Sequence, residues 1–234
     1  MGTLQSVHSE VASVLNKHFP LQRVELKYPF PVRPRRALGL VKLDGEVYST
    51  DKLQRVVCMR ITLPVYMKVY STFIRPKIEY DLPALICEVV YTGSKLLVVL
   101  DVHRTGDVAE LEKDRAFFDG LMDIRSRYDD LLRFQKQAKG SVANLVQSRA
   151  TCRLGITAEH EERALALVKE YLDAYAEYVT RSQALGSEEL ETVKRDFESY
   201  LQSVVEHDPG VKGNKVLFGE KEGVERAMDI FYGL

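Results

Sequence analysis

The sequence lacks several features that often identify a protein class at once. It contains no tryptophan, and its three cysteines, Cys58, Cys87 and Cys152, are far apart. Because no Cys-x-x-Cys pair occurs, neither a disulfide scaffold nor a zinc ribbon is predicted. The 33 basic and 34 acidic residues nearly cancel. This balance argues against a dedicated nucleic-acid-binding protein, which normally has an excess of basic residues.

The common catalytic signatures are also missing. The chain has no glycine-rich phosphate loop after a predicted strand, no His-Glu-x-x-His and no Gly-x-Ser-x-Gly motif. The five histidines are too far apart in sequence to support a local metal site, so no metal is expected. Any catalytic role must therefore come from single residues that the fold places together.

Long apolar runs are absent as well. No run approaches the roughly 18 residues that a membrane-spanning helix needs. Residues 1–19 have polar residues every few positions and lack the apolar core of a signal peptide. We therefore expect a protein of the cytoplasm with no membrane partner, and we expect it to be a monomer.

The composition that remains is typical of a globular chain, with 45% hydrophobic and 29% charged residues. A length of 234 residues allows one large domain or two small ones, and we expect a single domain over 1–234. Apolar spacing predicts a first helix over 4–15, and the prolines of 20–37 predict an extended wrap with a short strand at 24–28.

Residues 38–103 are rich in predicted strands. A hairpin is expected around Asp44-Gly45, followed by strands over 55–63, 67–74, 84–91 and 95–102. The last two runs are almost wholly apolar, which predicts that both faces of the sheet are covered. Helices are then predicted over 108–136, 141–149, 157–181, 187–205 and 221–232. The expected fold is α+β, a three-layer α/β/α sandwich with a central antiparallel sheet flanked by helices.

Glu88 is the most informative single residue, because it lies in the middle of the most apolar predicted strand. Alternation places it on one face with Ile86 and Val90, opposite Cys87. A carboxyl group on a buried face has a raised pKa and can serve as a general acid. The alternative is an ion pair with Arg60 or Lys68 on a neighbouring strand.

Three further residues are candidates, each with an ordinary alternative. Asp208 is a possible second acid, although Asp-Pro-Gly after a helix is also a common turn. Arg153 could bind a substrate carboxylate, or form a surface salt bridge. Ser71 could touch substrate, or be a small core residue bonded to backbone. His103 and Arg104 close the last strand, where a ligand rim or a solvated turn is expected.

The order of several segments resembles the ferredoxin-dependent bilin reductases. The central part has Arg-Pro-Lys-Ile-Glu-Tyr-Asp-Leu-Pro-Ala-Leu, the Glu88 strand and Leu-Leu-Val-Val-Leu-Asp. The C-terminal part has Glu-Tyr-Leu-Asp-Ala-Tyr, Asp-Pro and Leu-Phe-Gly-Glu. These matches occupy 75–85, 96–101, 170–175, 208–209 and 217–220, so the resemblance extends over most of 55–234.

The resemblance implies an α/β/α sandwich that holds an open-chain tetrapyrrole between the sheet and the C-terminal helices. It implies no bound cofactor, with reduced ferredoxin as the external electron donor and bilin radicals as intermediates. Glu88 falls where the family has a catalytic aspartate, and Asp208 where many members have a second acid. Arg153 matches an arginine that binds a propionate, and Ser71 the position of a histidine or asparagine.

The chain also departs from the family pattern. Glutamate replaces aspartate at Glu88, and no histidine stands at Ser71. A glutamate on the sheet with an acid on the helical side is the pattern of the related red chlorophyll catabolite reductase.

The resemblance as a whole implies reduction of biliverdin or a dihydrobiliverdin to a phytobilin. A red chlorophyll catabolite reductase-like enzyme and a non-catalytic tetrapyrrole carrier are the alternatives. A plastid stromal location would apply to a plant or algal source. An α+β interaction protein that binds no pigment is the remaining alternative.

Overall fold

A seven-stranded antiparallel sheet forms the centre of the structure. The structure, a computed structural model, describes residues 3–63, 67–104, 111–137 and 147–234. Each strand pairs with the next one along the chain, so the order in the sheet follows the sequence. The strands are β1 (Gln22–Arg23), β2 (Lys42–Ser49), β3 (Leu53–Leu63), β4 (Met67–Pro76), β5 (Ala84–Thr92), β6 (Lys95–His103) and β7 (Cys152–Thr157).

Helices cover both faces of this sheet. One core packs the sheet against α1 (Val7–Asn16), α2 (Arg115–Ser126), α3 (Asp129–Leu132) and α4 (Glu161–Arg181). The other packs it against α5 (Ser187–His207), α6 (Pro209–Phe218), α7 (Glu220–Ala227) and the last turn, Met228–Tyr232. The arrangement confirms the predicted α/β/α sandwich. None of the helices in these ranges is long and apolar enough to span a membrane.

The surroundings of strands β5 and β6 explain why polar and apolar residues do not alternate along them. Leu85, Cys87 and Val89 point into the core formed with α1–α4, and all three are fully buried. Ala84 and Ile86 point to the opposite face, toward α5–α7. Both sides of these strands carry apolar residues because both sides face helices, as the sequence predicts.

The hairpin predicted at Asp44-Gly45 is wrong. Both residues lie inside β2, and Gly45 pairs with Met59 of β3. A Cβ at Gly45 would lie only 2.5 Å from the carbonyl oxygen of Cys58, so this glycine permits close approach of β3. The turn comes later, where the Thr50 hydroxyl oxygen accepts hydrogen bonds from the backbone of Lys52 and Leu53.

Other boundaries also differ from prediction. The short strand expected at 24–28 is wrong, since none of these residues is in a strand and the two-residue β1 ends at Arg23. Strand β7 was not predicted. Asp-Pro-Gly ends α5 but also begins α6, since Asp is a preferred N-cap and proline a preferred first helical residue. Most of the helix expected over 141–149 lies outside the described residues.

A buried ion-pair network joins the end of β6 to the α2 side of the sheet. Arg104 donates to the fully buried carboxylate of Asp114 at 2.7 Å and also pairs with Asp81. Tyr178 donates to the other oxygen of Asp114 at 2.5 Å. The solvated turn expected at Arg104 is therefore wrong, because its guanidinium is buried between two carboxylates.

We expect Arg104→Met to lower the free energy of unfolding by about 3–5 kcal/mol, because it leaves the Asp114 charge buried without its cation. Denaturant unfolding measures the effect. Arg115→Met is the control, since it removes an exposed ion pair with Glu112 that contributes little. Equal stability of the two variants would contradict a structural role for the buried network.

Candidate active site

Three of the four predicted site residues lie in one row across the sheet. Strand register pairs Ser71 with Glu88, Glu88 with Val99, and Val99 with Arg153. All of them point to the α5–α7 side, because their neighbours along each strand point into the opposite core. With strands about 4.8 Å apart, Glu88 and Arg153 are roughly 10 Å apart at the backbone.

The carboxyl group of Glu88 lies at the centre of this row. Removal from water raises its pKa, the nearby charge of Asp208 raises it further, and Ser71 and Arg153 oppose these effects. Ser71 donates a hydrogen bond to Glu88 Oε1 at 3.3 Å, so its hydroxyl serves the carboxyl group rather than backbone. A raised pKa favours the protonated form that a general acid requires.

The ion pair considered for Glu88 does not form. Arg60 and Lys68 point to the other side of the sheet from Met59 and Ser71, and Arg60 pairs with Asp44 at 2.8 Å. Within the described part of the chain, no cationic group lies within 4 Å of the Glu88 carboxylate. The arrangement favours a functional carboxyl group over a structural ion pair.

Asp208 faces the row from the helical layer. It is the N-cap of α6, and its Oδ1 accepts a hydrogen bond from the Val211 amide at 2.9 Å. Burial raises its pKa despite the opposing effects of hydrogen bonds from the Val211 and Gly210 amides and the charges of His103 and Lys212. The two predicted acids therefore approach the same space from opposite sides.

Arg153 is half-buried on β7, the edge strand. Its backbone bonds to Gln135 and Lys136. Its guanidinium has no ion-pair partner among the described residues, so the predicted surface salt bridge is not formed there. An unpaired guanidinium beside an apolar surface is suited to bind a carboxylate through two parallel hydrogen bonds.

Asp101 and His103 form a pair on this face. Sequence reasoning named His103 as a possible ligand rim but did not consider Asp101. Asp101 Oδ1 accepts hydrogen bonds from Thr151 at 2.6 Å and Ser148 at 3.2 Å, and its Oδ2 lies 3.4 Å from His103 Nδ1. Burial alone would raise the pKa of Asp101, but His103 and the two hydroxyls lower it overall. The solvated turn expected at His103 is wrong, because its Nδ1 is buried.

A signal for this pair was present in the sequence. In β6, Asp101 and His103 continue the alternating face of Leu97 and Val99, which is the face of Glu88. Ile86 pairs with Asp101, so Glu88 and Asp101 are diagonal neighbours, for which about 7–8 Å is usual. Asp101 and His103 therefore lie on the same sheet face as Glu88, displaced toward the end of β6.

The apolar surface around these groups is incompletely covered. On the α1–α4 side of β6, Leu96, Val98 and Leu100 are at most 3% exposed. On the other side, Leu97 and Val99 keep partial exposure. The same holds for neighbouring side chains on this face, namely Ile61, Leu63, Val69, Ile86 and Val90. The helices therefore leave an apolar strip of the sheet accessible beside Glu88.

Comparisons with known proteins now identify the family. The model of the ferredoxin-dependent bilin reductase family matches residues 8–226. The chain belongs to this family. It is therefore an oxidoreductase whose electrons come from ferredoxin as an external donor. The resemblance seen in the sequence is confirmed.

A solved bilin reductase has the same fold. The chain is similar to phytochromobilin synthase from tomato, solved in complex with biliverdin, with a TM-score of 0.79 and 18% identity. The match covers 98% of this chain and 82% of that one. Among curated proteins, none matches this sequence. In the described ranges, no three metal-ligating side chains are grouped for a metal ion.

Proposed function

We propose that this bilin reductase reduces biliverdin IXα or a dihydrobiliverdin to a phytobilin through bilin radicals. The observation that carries the proposal is the accessible apolar strip of the sheet, with Glu88 on it, Asp208 facing it and an unpaired Arg153 at its edge. A linear tetrapyrrole matches this surface, because it has a flat apolar ring system, basic pyrrole nitrogens and carboxylate side chains.

Glu88 is the proton donor and bilin anchor on the sheet side. Its raised pKa keeps a proton available, and protonation of the pigment makes the following electron transfer easier. Ser71 lies within hydrogen-bond distance of Glu88 and orients this carboxyl group. A substrate contact by Ser71 itself remains a prediction.

Asp208 is the second proton donor, on the helical side. Reduction of one double bond takes two electrons from ferredoxin and two protons, and two acids on opposite sides supply one proton each. His103 lies close enough to Asp208 for its charge to lower the pKa of that carboxyl group, and Asp101 Oδ2 lies 3.4 Å from His103 Nδ1.

Arg153 binds a propionate of the pigment. We expect Arg153→Gln to raise the dissociation constant for biliverdin by about 10- to 100-fold, since hydrogen bonds to charged groups contribute about 1.5–3 kcal/mol. Pigment titration followed by absorbance measures the change.

Biliverdin dimethyl ester provides the control for this prediction. The wild-type enzyme should lose affinity for the ester, whereas Arg153→Gln should bind ester and free acid alike. A variant that still prefers the free acid by the wild-type factor would show that another cation binds the propionate.

Reduction of a red chlorophyll catabolite is the second candidate, favoured by the glutamate at Glu88. The two candidates are separated by supplying each pigment with the same ferredoxin-reducing system and identifying the products by chromatography. Conversion of biliverdin with no conversion of the chlorophyll catabolite supports the first proposal. The reverse result supports the second, and stable binding without conversion supports a carrier.

A further inference from the structure

Exposed apolar side chains occur both on α6 and on the segment that packs against this helix. Among the described residues, five large hydrophobic side chains are prominently exposed, and three of them lie here: Leu38 (85%), Leu40 (59%) and Val216 (73%). Leu38 and Leu40 follow the short helical turn Arg35–Ala37, which packs against α6, the helix that carries Val216. We call Arg33–Leu40 together with the exposed side of α6 the α6 surface.

Leu38 has an unfavourable backbone conformation as well as an exposed side chain. Its φ of 51° and ψ of 30° place it in the left-handed region, which costs free energy for a residue with a Cβ. Glycine would adopt this conformation without that cost. Leu38 thus combines strain with solvent exposure, and its own chain gains little from the leucine side chain. A contact with another molecule would explain both features.

Basic residues surround these apolar side chains. Arg33, Arg35, Arg36 and Lys212 are exposed, and none has a carboxylate within 4 Å among the described residues. By contrast, Lys215 of α6 and Arg226 of α7 are neutralised, since Lys215 pairs with Glu220 and Arg226 with Glu222. Four cations without an ion pair among the described residues thus belong to the α6 surface.

We propose that the α6 surface binds ferredoxin, which deepens the proposed function by assigning the contact surface of its electron donor. An apolar centre with a basic border is suited to an acidic partner, because the charges steer the encounter and the apolar contact stabilises it. Helix α6 has 10 residues, so it connects this surface to Asp208 over about 15 Å. A partner bound here lies within one short helix of the site.

The first test measures binding of an oxidised, acidic [2Fe–2S] ferredoxin by calorimetry, so that no turnover is required. We expect Arg35→Glu/Arg36→Glu to raise the dissociation constant at least about tenfold and to weaken its salt dependence. The double variant Lys17→Glu/Arg181→Glu makes the same charge change on the α1–α4 side and should bind like wild type. The proposal would be overturned if the wild-type protein did not bind ferredoxin, or if both double variants weakened binding equally.

Leu38→Gly provides a second test, because it should affect stability and ferredoxin binding differently. The glycine relieves the left-handed strain, so the melting temperature should not fall, whereas the loss of the apolar side chain should weaken ferredoxin binding several-fold. Unchanged binding would show that Leu38 makes no contact. Pigment reduction by dithionite and methyl viologen is followed separately, because its failure would count against the proposed function and not against the surface.

Discussion

Replacing Glu88 with glutamine is expected to lower the turnover of biliverdin by about 10²- to 10⁴-fold, the range typical for loss of a general acid. Glutamine keeps the size of the side chain and can still accept the hydrogen bond from Ser71, but it cannot donate a proton to the pigment as an acid. Pigment binding should change little, because the apolar strip and Arg153 remain. Anaerobic turnover and pigment titration measure the two quantities separately.

The pH dependence distinguishes a proton donor from a structural residue. A donor must be protonated, so the wild-type rate should fall as the pH rises through the raised pKa of Glu88. Glu88→Asp retains an acid and should keep part of the activity together with this pH limb. Normal turnover in Glu88→Gln would remove the residue from the mechanism.

The second large effect is expected for Asp208→Asn. Asparagine is as good an N-cap as aspartate, so the bond from the Val211 amide and the start of α6 should be preserved. The loss of the acid should again lower turnover by about 10²- to 10⁴-fold. Thermal unfolding and steady-state kinetics of the same preparation measure both properties.

Asp208→Ala is the matched control, because it removes the acid and the cap together. It should lose turnover as Asp208→Asn does and also lose about 1 kcal/mol of stability. If Asp208→Asn keeps normal turnover and only Asp208→Ala is impaired, Asp208 acts as a helix cap and not as a proton donor.

Much of the sheet was predictable because its strands are apolar and its turns are short. Strands β3 to β6 fall close to the predicted ranges, and the loss of alternation in β5 and β6 correctly indicated two covered faces. The wrong predictions share one cause, which is that the same residue types occur in different local structures. Asp44-Gly45 has the composition of a turn, yet the contact with β3 requires the glycine.

The site was predictable where one residue contrasted with its surroundings. Glu88 was conspicuous as a carboxylate in an apolar strand, whereas its alignment with Ser71 and Arg153 depends on strand register and on β7, which was not predicted. His103 was considered only as a ligand rim or a solvated turn at the end of a strand, and Asp101 was not singled out, so their pairing was missed. The exposed strip beside them depends on how α5–α7 pack, which no local pattern specifies.

The most direct test of the central claim is an anaerobic spectral titration of the wild-type protein. The protein is mixed with biliverdin, a ferredoxin-reducing system is added, and the visible spectrum is followed over time. We expect a shift on mixing, then transient radical bands, then the spectrum of a phytobilin. A stable biliverdin complex that does not change on reduction, or no shift on mixing, would contradict it.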